Sequence, residues 1–218
     1  MKRLLLLAIA LCYFSAGRVL AQPFFYSEGR NFSAQVSYKQ SVHNCGTFDV
    51  ARVEATAYMN PTLGWEFVAG FEVGKNYFSF SPVGLIGLPG WIYHSTHGSS
   101  SDMKMIGALL SIATAKLPIG ICDWLEVTPY WDLLKFTKVY DSKLKLNADV
   151  GLQLKLYPLS GTYSYFNTLF VASFIEYDFA YKKNAGQYMY DYWGYNIRRS
   201  DKSLFRGYSW GVTVGMYF

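Results

Sequence analysis

The stretch SWGVTVGMYF, residues 209–218, is the one on which the fold turns. With the two residues before it, it alternates in steps of two. Tyr208, Trp210, Val212, Val214, Met216 and Phe218 are large and apolar, while Gly207, Ser209, Gly211, Thr213 and Gly215 are small or polar. Period two is the signature of a β-strand, whose successive side chains point to opposite faces. Chain ends usually fray into polar residues. An alternation carried onto a terminal aromatic therefore predicts a final strand that is paired on both sides.

The other end of the chain predicts an exported protein. Lys2 and Arg3 form a positive n-region, Leu4–Phe14 a short apolar run, and Val19 and Ala21 occupy the small-residue positions of a cleavage site. This predicts a signal peptide over residues 1–21, cut before Gln22. A membrane helix needs about 20 apolar residues; this run is shorter, and Arg18 stands soon after it. Leu11 before Cys12 is too bulky for a lipoprotein cleavage site. Residues 22–218 are then of a length for one domain.

Removing the signal changes the charge. Lys2, Arg3 and Arg18 are three of the 20 basic residues, which leaves 17 against 15 acidic ones and a net charge near +2. That balance gives no case for nucleic acid as a partner. Aromatic residues make up 19% of the chain, led by 19 tyrosines. An exported, aromatic-rich chain with no second helix-length apolar run fits a barrel whose strands alternate lipid-facing and lumen-facing residues.

Period-two segments recur at spanning length. Phe32–Tyr38 sets Phe32, Ala34, Val36 and Tyr38 against Ser33, Gln35 and Ser37. Ala51–Met59 sets five apolar residues against Arg52, Glu54, Thr56 and Tyr58. In GWEFVAGFEVG, residues 64–74, Trp65, Phe67, Ala69, Phe71 and Val73 alternate with Glu66, Val68, Gly70 and Glu72. Leu144–Leu156 places leucines, Ala148 and Val150 opposite Lys145, Asn147, Asp149, Gln153 and Lys155. Val171–Tyr181 turns Glu176 and Asp178 to the polar face. Lys104–Lys116 and Trp124–Leu133 complete the set of eight, the second carrying Pro129, which predicts a bulge or irregular stretch. Links after the second, fourth and sixth strands are short and turn-rich, and those after the others are longer. Short turns at one end and long loops at the other is the outer-membrane arrangement, periplasmic turns and extracellular loops. A soluble sandwich would turn its polar residues outward; here they share a face with glycines. The expected fold is all-β, a transmembrane antiparallel up-and-down β-barrel of eight strands, or ten if residues 181–206 add a hairpin.

On these features, and on the ending VTVGMYF, the chain resembles the small eight-stranded outer-membrane β-barrel proteins of Gram-negative bacteria, the OmpA/OmpX-like type of the porin superfamily. Its signal-peptide style and Tyr-rich loops resemble those of Bacteroidetes outer-membrane proteins. The resemblance implies residence in the outer membrane, in contact with lipid and lipopolysaccharide. It also implies that Val212, Val214, Met216 and Phe218 form the C-terminal signal read by the barrel-assembly machinery.

Three constellations bear on function. Inward charges come first: the residue 60–64 turn brings Arg52 opposite or diagonal to Glu72, and similar logic brings Lys145 near Asp178. An eight-stranded barrel has an interior that side chains just fill, so these pairs are expected to plug the lumen. The second is WIYHSTHGSSSD, residues 91–102, where His94, His97, Ser99, Ser100, Ser101 and Asp102 have the residue types of a nucleophile–base site or a His-x-x-His metal site. Its serines and glycine read as a flexible polar loop instead. The third is YMYDYWGYNIRR, residues 188–199. Tyr188, Tyr190, Tyr192, Trp193 and Tyr195 are expected in an aromatic girdle or a surface for an extracellular ligand, with Arg198 and Arg199 meeting its phosphate or carboxylate groups. No cofactor is expected. Cys45 and Cys122 are expected at opposite ends of the barrel, beyond the roughly 7 Å reach of a disulfide. The expected role is a non-enzymatic barrel that displays loops in structural, adhesive or ligand-binding service. A lipid-modifying enzyme of deacylase or acyltransferase type, or a narrow solute channel, is the alternative.

Overall fold

The computed structural model describes residues 32–60, 65–87, 112–141, 143–161, 165–180, 189–190, 196–197 and 206–218. The signal peptide and the loop containing His94, His97, Ser99, Ser100, Ser101 and Asp102 lie outside them. The strands are β1 (Phe32–His43), β2 (Gly46–Asn60), β3 (Trp65–Gly74), β4 (Tyr77–Phe80), β5 (Thr114–Lys116) and β6 (Ile119–Cys122). They continue with β7 (Leu125–Val139), β8 (Lys145–Leu156), β9 (Leu169–Ala180), β10 (Met189–Tyr190), β11 (Asn196–Ile197) and β12 (Gly207–Tyr217).

Every pairing is antiparallel. β1 lies between β2 and β12; β12 is followed by β9, β8 and β7. β4 and β5 each pair with both β3 and β7, and β3 pairs with β2, which closes the ring. β4, β5 and β6 follow one another along a single position beside β7, so the ring has eight strand positions. Closure leaves no open edge. β10 and β11 form a separate two-stranded ladder. Among the described residues of the segment considered for a ninth and tenth strand, none pairs with the barrel.

Burial follows the alternation. On β1, Ser33, Gln35, Ser37, Lys39 and Ser41 are buried, while Val36 and Tyr38 are exposed. On β12, Thr213 is 1% exposed and Val214 52%. Leu152, Leu154 and Leu156 on β8 and Val171 and Ile175 on β9 continue the exposed apolar surface around the ring. Apolar side chains outside and polar ones inside invert the arrangement of a soluble sheet and match a wall that faces lipid. Glycines on the inner face make room for neighbours. A Cβ at Gly215 would collide with the Phe170 ring, and one at Gly211 with the Phe174 ring.

Four local expectations change. The links after the first and third strands are tight turns, at Asn44–Cys45 and Lys75–Asn76, so most of the expected first loop is strand. Asn76 takes the positive φ of 60° that such a turn requires and that Asn tolerates. The fourth strand is not Lys104–Lys116. Its upper part is Tyr77–Phe80, whose Tyr77 and Ser79 are buried and whose Phe78 is exposed; its lower part is only Thr114–Lys116. Residues 112–113 are helical, and 104–111 lie outside the described residues. Between the two parts the chain leaves the ladder at Ser81. Residues 82–87 form a helix on the outer face, with Gly84 against the Val68–Ala69 backbone, Gly87 against the Phe67 ring, and Ile86 75% exposed.

The third change is at Pro129. It keeps register with Leu152, and the irregularity in β7 falls instead between Asp132 and Lys135. The Pro129 carbonyl accepts from Leu117 N–H at 2.9 Å. In a strand a residue's C=O and N–H point the same way, so the missing donor is directed to the gap between β5 and β6, where no ladder is interrupted. The fourth is at Lys145, which pairs in the ladder with Thr137 and lies away from Asp178. Cys45 sits at the β1–β2 turn and Cys122 at the opposite end beside the β6–β7 turn, and the two form no disulfide with each other.

Candidate functional site

The inward positions of the strands converge on an ionic network. Lys39 from β1 places Nζ 2.8 Å from Glu72 Oε1 on β3 and 2.5 Å from Glu176 Oε1 on β9. Arg52 from β2 lies 2.5 Å from Glu72 Oε1 through Nη2 and also donates from Nη2 to Glu176 Oε2. Lys135 from β7 bonds Asp149 Oδ2 at 2.6 Å and lies 3.2 Å from Glu72 Oε1. Tyr130 and Tyr77 hydroxyls complete the carboxylates, donating to Glu176 Oε2 at 2.9 Å and Glu72 Oε2 at 3.0 Å. β2 and β9 are separated in the ring by β1 and β12, so the Arg52–Glu176 contact crosses the lumen.

A second cluster occupies the end that holds Phe32 and Phe218. Lys155 Nζ lies 2.7 Å from Glu126 Oε1 and donates to Tyr217 Oη at 2.7 Å. Tyr217 donates in turn to Glu66 Oε1 at 2.7 Å, and Tyr157 to Glu126 Oε2 at 2.9 Å. Lys116 and Glu54, 2.8 Å apart, stand between the two clusters. Buried apolar and aromatic groups cluster toward each end: Cys45, Phe48, Val50, Tyr77 and Val139 at one, Tyr157, Phe170, Ala172 and Tyr217 at the other.

Such charges are tolerable only in pairs. An isolated ion taken from water costs several kcal/mol, and breaking a buried pair by removing one member typically costs about 3–5 kcal/mol. The five buried lysines and arginines among the described residues each have a carboxylate: Lys39 with Glu176, Arg52 with Glu72, Lys116 with Glu54, Lys135 with Asp149 and Lys155 with Glu126. His43 Nε2 is 3.0 Å from Asp178 Oδ2. Asp132 and Glu66 remain without an ion pair among the described residues.

Of the residues singled out from the sequence, Arg52 and Glu72 come together, directly opposite in the β2–β3 register. Lys145 and Asp178 do not. Asp178 faces Asp149, four residues along β8 from Lys145, and its partners are His43, Lys135 and Ser209. The lateral stagger of a closed barrel sets that offset. Val212, Val214, Met216 and Phe218 line the outer face of β12 and its end, with Val212, Val214 and Phe218 more than half exposed. Tyr188, Tyr192, Trp193, Tyr195, Arg198 and Arg199 lie outside the described residues; of Tyr190 the backbone pairs with Asn196.

The alternation places Glu66 and Lys155 inward; what it does not anticipate is Lys39, Lys135, Glu126, and Tyr157 and Tyr217, which hydrogen-bond to that cluster. Lys39 was legible, since it continues the parity of Ser33, Gln35 and Ser37. Tyr217 was legible too, as the one aromatic on the small-residue face of its strand. Lys135 was not. The β7 irregularity shifts the inward face from the even positions of Glu126–Asp132 to the odd ones of Lys135–Val139.

No protein-family model matches the chain, and no curated protein matches it. Among solved structures it is similar to Ail, the attachment invasion locus protein of Yersinia pestis, at 10% identity over 87% of this chain and 99% of that one, with a TM-score of 0.40. Ail in complex with the heparin analogue sucrose octasulfate matches at 12% identity, 87% and 99% coverage and a TM-score of 0.42. Neisserial surface protein A matches at 10% identity over 87% and 97%, with a TM-score of 0.44. The barrel assignment rests on the strand register, not on these likenesses.

Proposed function

We propose that this chain is an integral outer-membrane barrel with a plugged lumen, and that it acts through what it presents at the cell surface. The observation that carries this reading is the inverted wall: leucine, valine and isoleucine outside, and inside an ionic network that crosses the lumen. A diffusion path would need the Lys39–Glu176 and Arg52–Glu176 contacts to part, which leaves buried charge uncompensated. The role is non-enzymatic: structural, adhesive or ligand-binding, with residues 188–199 as the candidate contact surface. The tyrosines and Trp193 would supply amphipathic contact area, and Arg198 and Arg199 would pair with anionic groups. Assembly machinery would read the outer face of β12 and Phe218.

Two measurements test the reading. The folded protein in planar bilayers should show no steady conductance, and a stable open level would replace the plug with a channel. Cells displaying the protein should bind lipopolysaccharide or a polyanionic glycan, and Arg198→Ala with Arg199→Ala should reduce that binding. Equal binding by the variant would remove those arginines from the role.

A further inference from the structure

Beyond surface binding, we infer that the break in the fourth strand position is a subsite for a primary ammonium group. The ladders there are discontinuous: β3 passes from the Phe71–Phe80 pair to the Phe67–Ala115 pair, and β7 from Phe80–Phe136 to Thr114–Asp132. A pocket lies in this gap, with about 40 Å³ of space open to water-sized groups. A single water needs roughly 10–15 Å³ on that measure, so the pocket takes an ammonium head and little more. Its lining joins lumen charges to Phe71, Phe80 and Trp131 of the wall, so it runs from the ionic network toward the outer face.

Four carboxylates and three cations line it. Three carboxylates are matched: Glu54 by Lys116, Glu72 by Arg52 and Asp149 by Lys135. Asp132 is the fourth. Its Oδ1 accepts from Leu134 N–H at 3.1 Å and from Ser81 Oγ at 3.3 Å, and among the described residues it has no ion pair. Away from the pocket, Asn147 Oδ1, Glu66 Oε2 and Gln153 Oε1 are also buried without a hydrogen-bond partner among the described residues. A carboxylate with no ion pair among the described residues, beside hydroxyls at Ser81 and Thr114, suits one monovalent cation with N–H donors, and charge-assisted bonds of this kind are the strong ones. The pocket's outer lining is aromatic, so the ammonium can be borne on an apolar chain in the bilayer or reach the gap free from water.

The test uses the folded mature chain in detergent micelles and in phospholipid vesicles. The readout is the indole NMR resonance of Trp131, titrated with methylammonium, dodecylammonium and dodecyltrimethylammonium. Saturable shifts are expected with an amine that carries N–H donors and not with the trimethyl analogue. Binding by dodecylammonium alone assigns a lipid-borne source, and equal binding by methylammonium an aqueous one. Asp132→Asn, which keeps the shape and the Leu134 bond, should weaken binding at least about tenfold, the scale of one charge-assisted hydrogen bond. Ser81→Leu, which fills the gap without removing a charge, should do the same. No saturable shift with either amine, or unchanged affinity in Asp132→Asn, overturns the proposal.

Discussion

Phe32 and Phe218 exchange both of their backbone hydrogen bonds. Phe218 N–H donates to the Phe32 carbonyl at 2.8 Å, and Phe32 N–H to the Phe218 carbonyl at 3.3 Å. They extend the β1–β12 ladder by one residue past Ser33–Tyr217, so the seam that closes the barrel runs through Phe218. Phe218 is 55% exposed on the outside.

The seam and the ring can be separated. Phe218→Ala keeps the backbone pair, and its stability loss should stay below the ~1.5–3 kcal/mol of a fully buried ring. Yield of folded protein in the outer membrane should nonetheless fall sharply in both Phe218→Ala and a deletion of Phe218. Heat-modifiable gel mobility and membrane fractionation measure it; normal yield in both variants would show that the residue is not an assembly signal.

The two faces of β12 should respond in opposite ways to the same substitution. Val214→Arg and Val150→Arg place a charge on the outer wall and should each cost about 2–4 kcal/mol near the bilayer midplane. Thr213 is enclosed, with its hydroxyl 2.8 Å from Ser37; Thr213→Arg should instead crowd the lumen. A spin label at Val214 should be broadened by a lipid-soluble relaxation agent, and one at Thr213 should not. Equal broadening would reverse the assigned faces.

Glu176 holds Lys39, Arg52 and the Tyr130 hydroxyl together. Glu176→Gln leaves two cations facing one carboxylate fewer and should destabilise the barrel by about 3–5 kcal/mol. Asp49→Asn, at an exposed position, should change stability by less than about 0.5 kcal/mol. Denaturant titration of the protein in micelles compares them; a Glu176→Gln effect no larger than the control would show that the network is not what packs the lumen.

Gly151 exists for Tyr130. A Cβ at 151 would fall inside the contact distance of the Tyr130 ring, so Gly151→Ala should cost about 1–3 kcal/mol by overpacking. In a Tyr130→Ala background the same change should cost much less, a coupling that a double-mutant cycle reads directly. Additive effects would mean that the two do not share that space.

Much of the barrel was legible because its decisive pattern is local. Period two assigned the outward and inward residues of β1, β2, β3, β8, β9 and β12 one strand at a time, without knowledge of any partner. A short turn between β2 and β3 then sufficed to set Arg52 opposite Glu72, since register across a hairpin is set by the turn. The split fourth position was not legible. Tyr77–Phe80 and Thr114–Lys116 are each too short to show a period, and only pairing with the same two neighbours makes them one element.

What tertiary structure alone decided is the chemistry inside. Lys135 turns inward because an irregularity in β7 shifts its parity, which is a property of the ladder and not of the residues. Lys145 misses Asp178 because the stagger of a closed ring sets which positions of β8 and β9 meet. Arg52 reaches Glu176 across the lumen, between strands that share no hairpin, so no spacing along the chain encodes their contact. Alternation determined which side chains enter the lumen; closure of the ring determined which of them meet there, because ion pairing depends on distances of a few ångström that only the assembled wall defines.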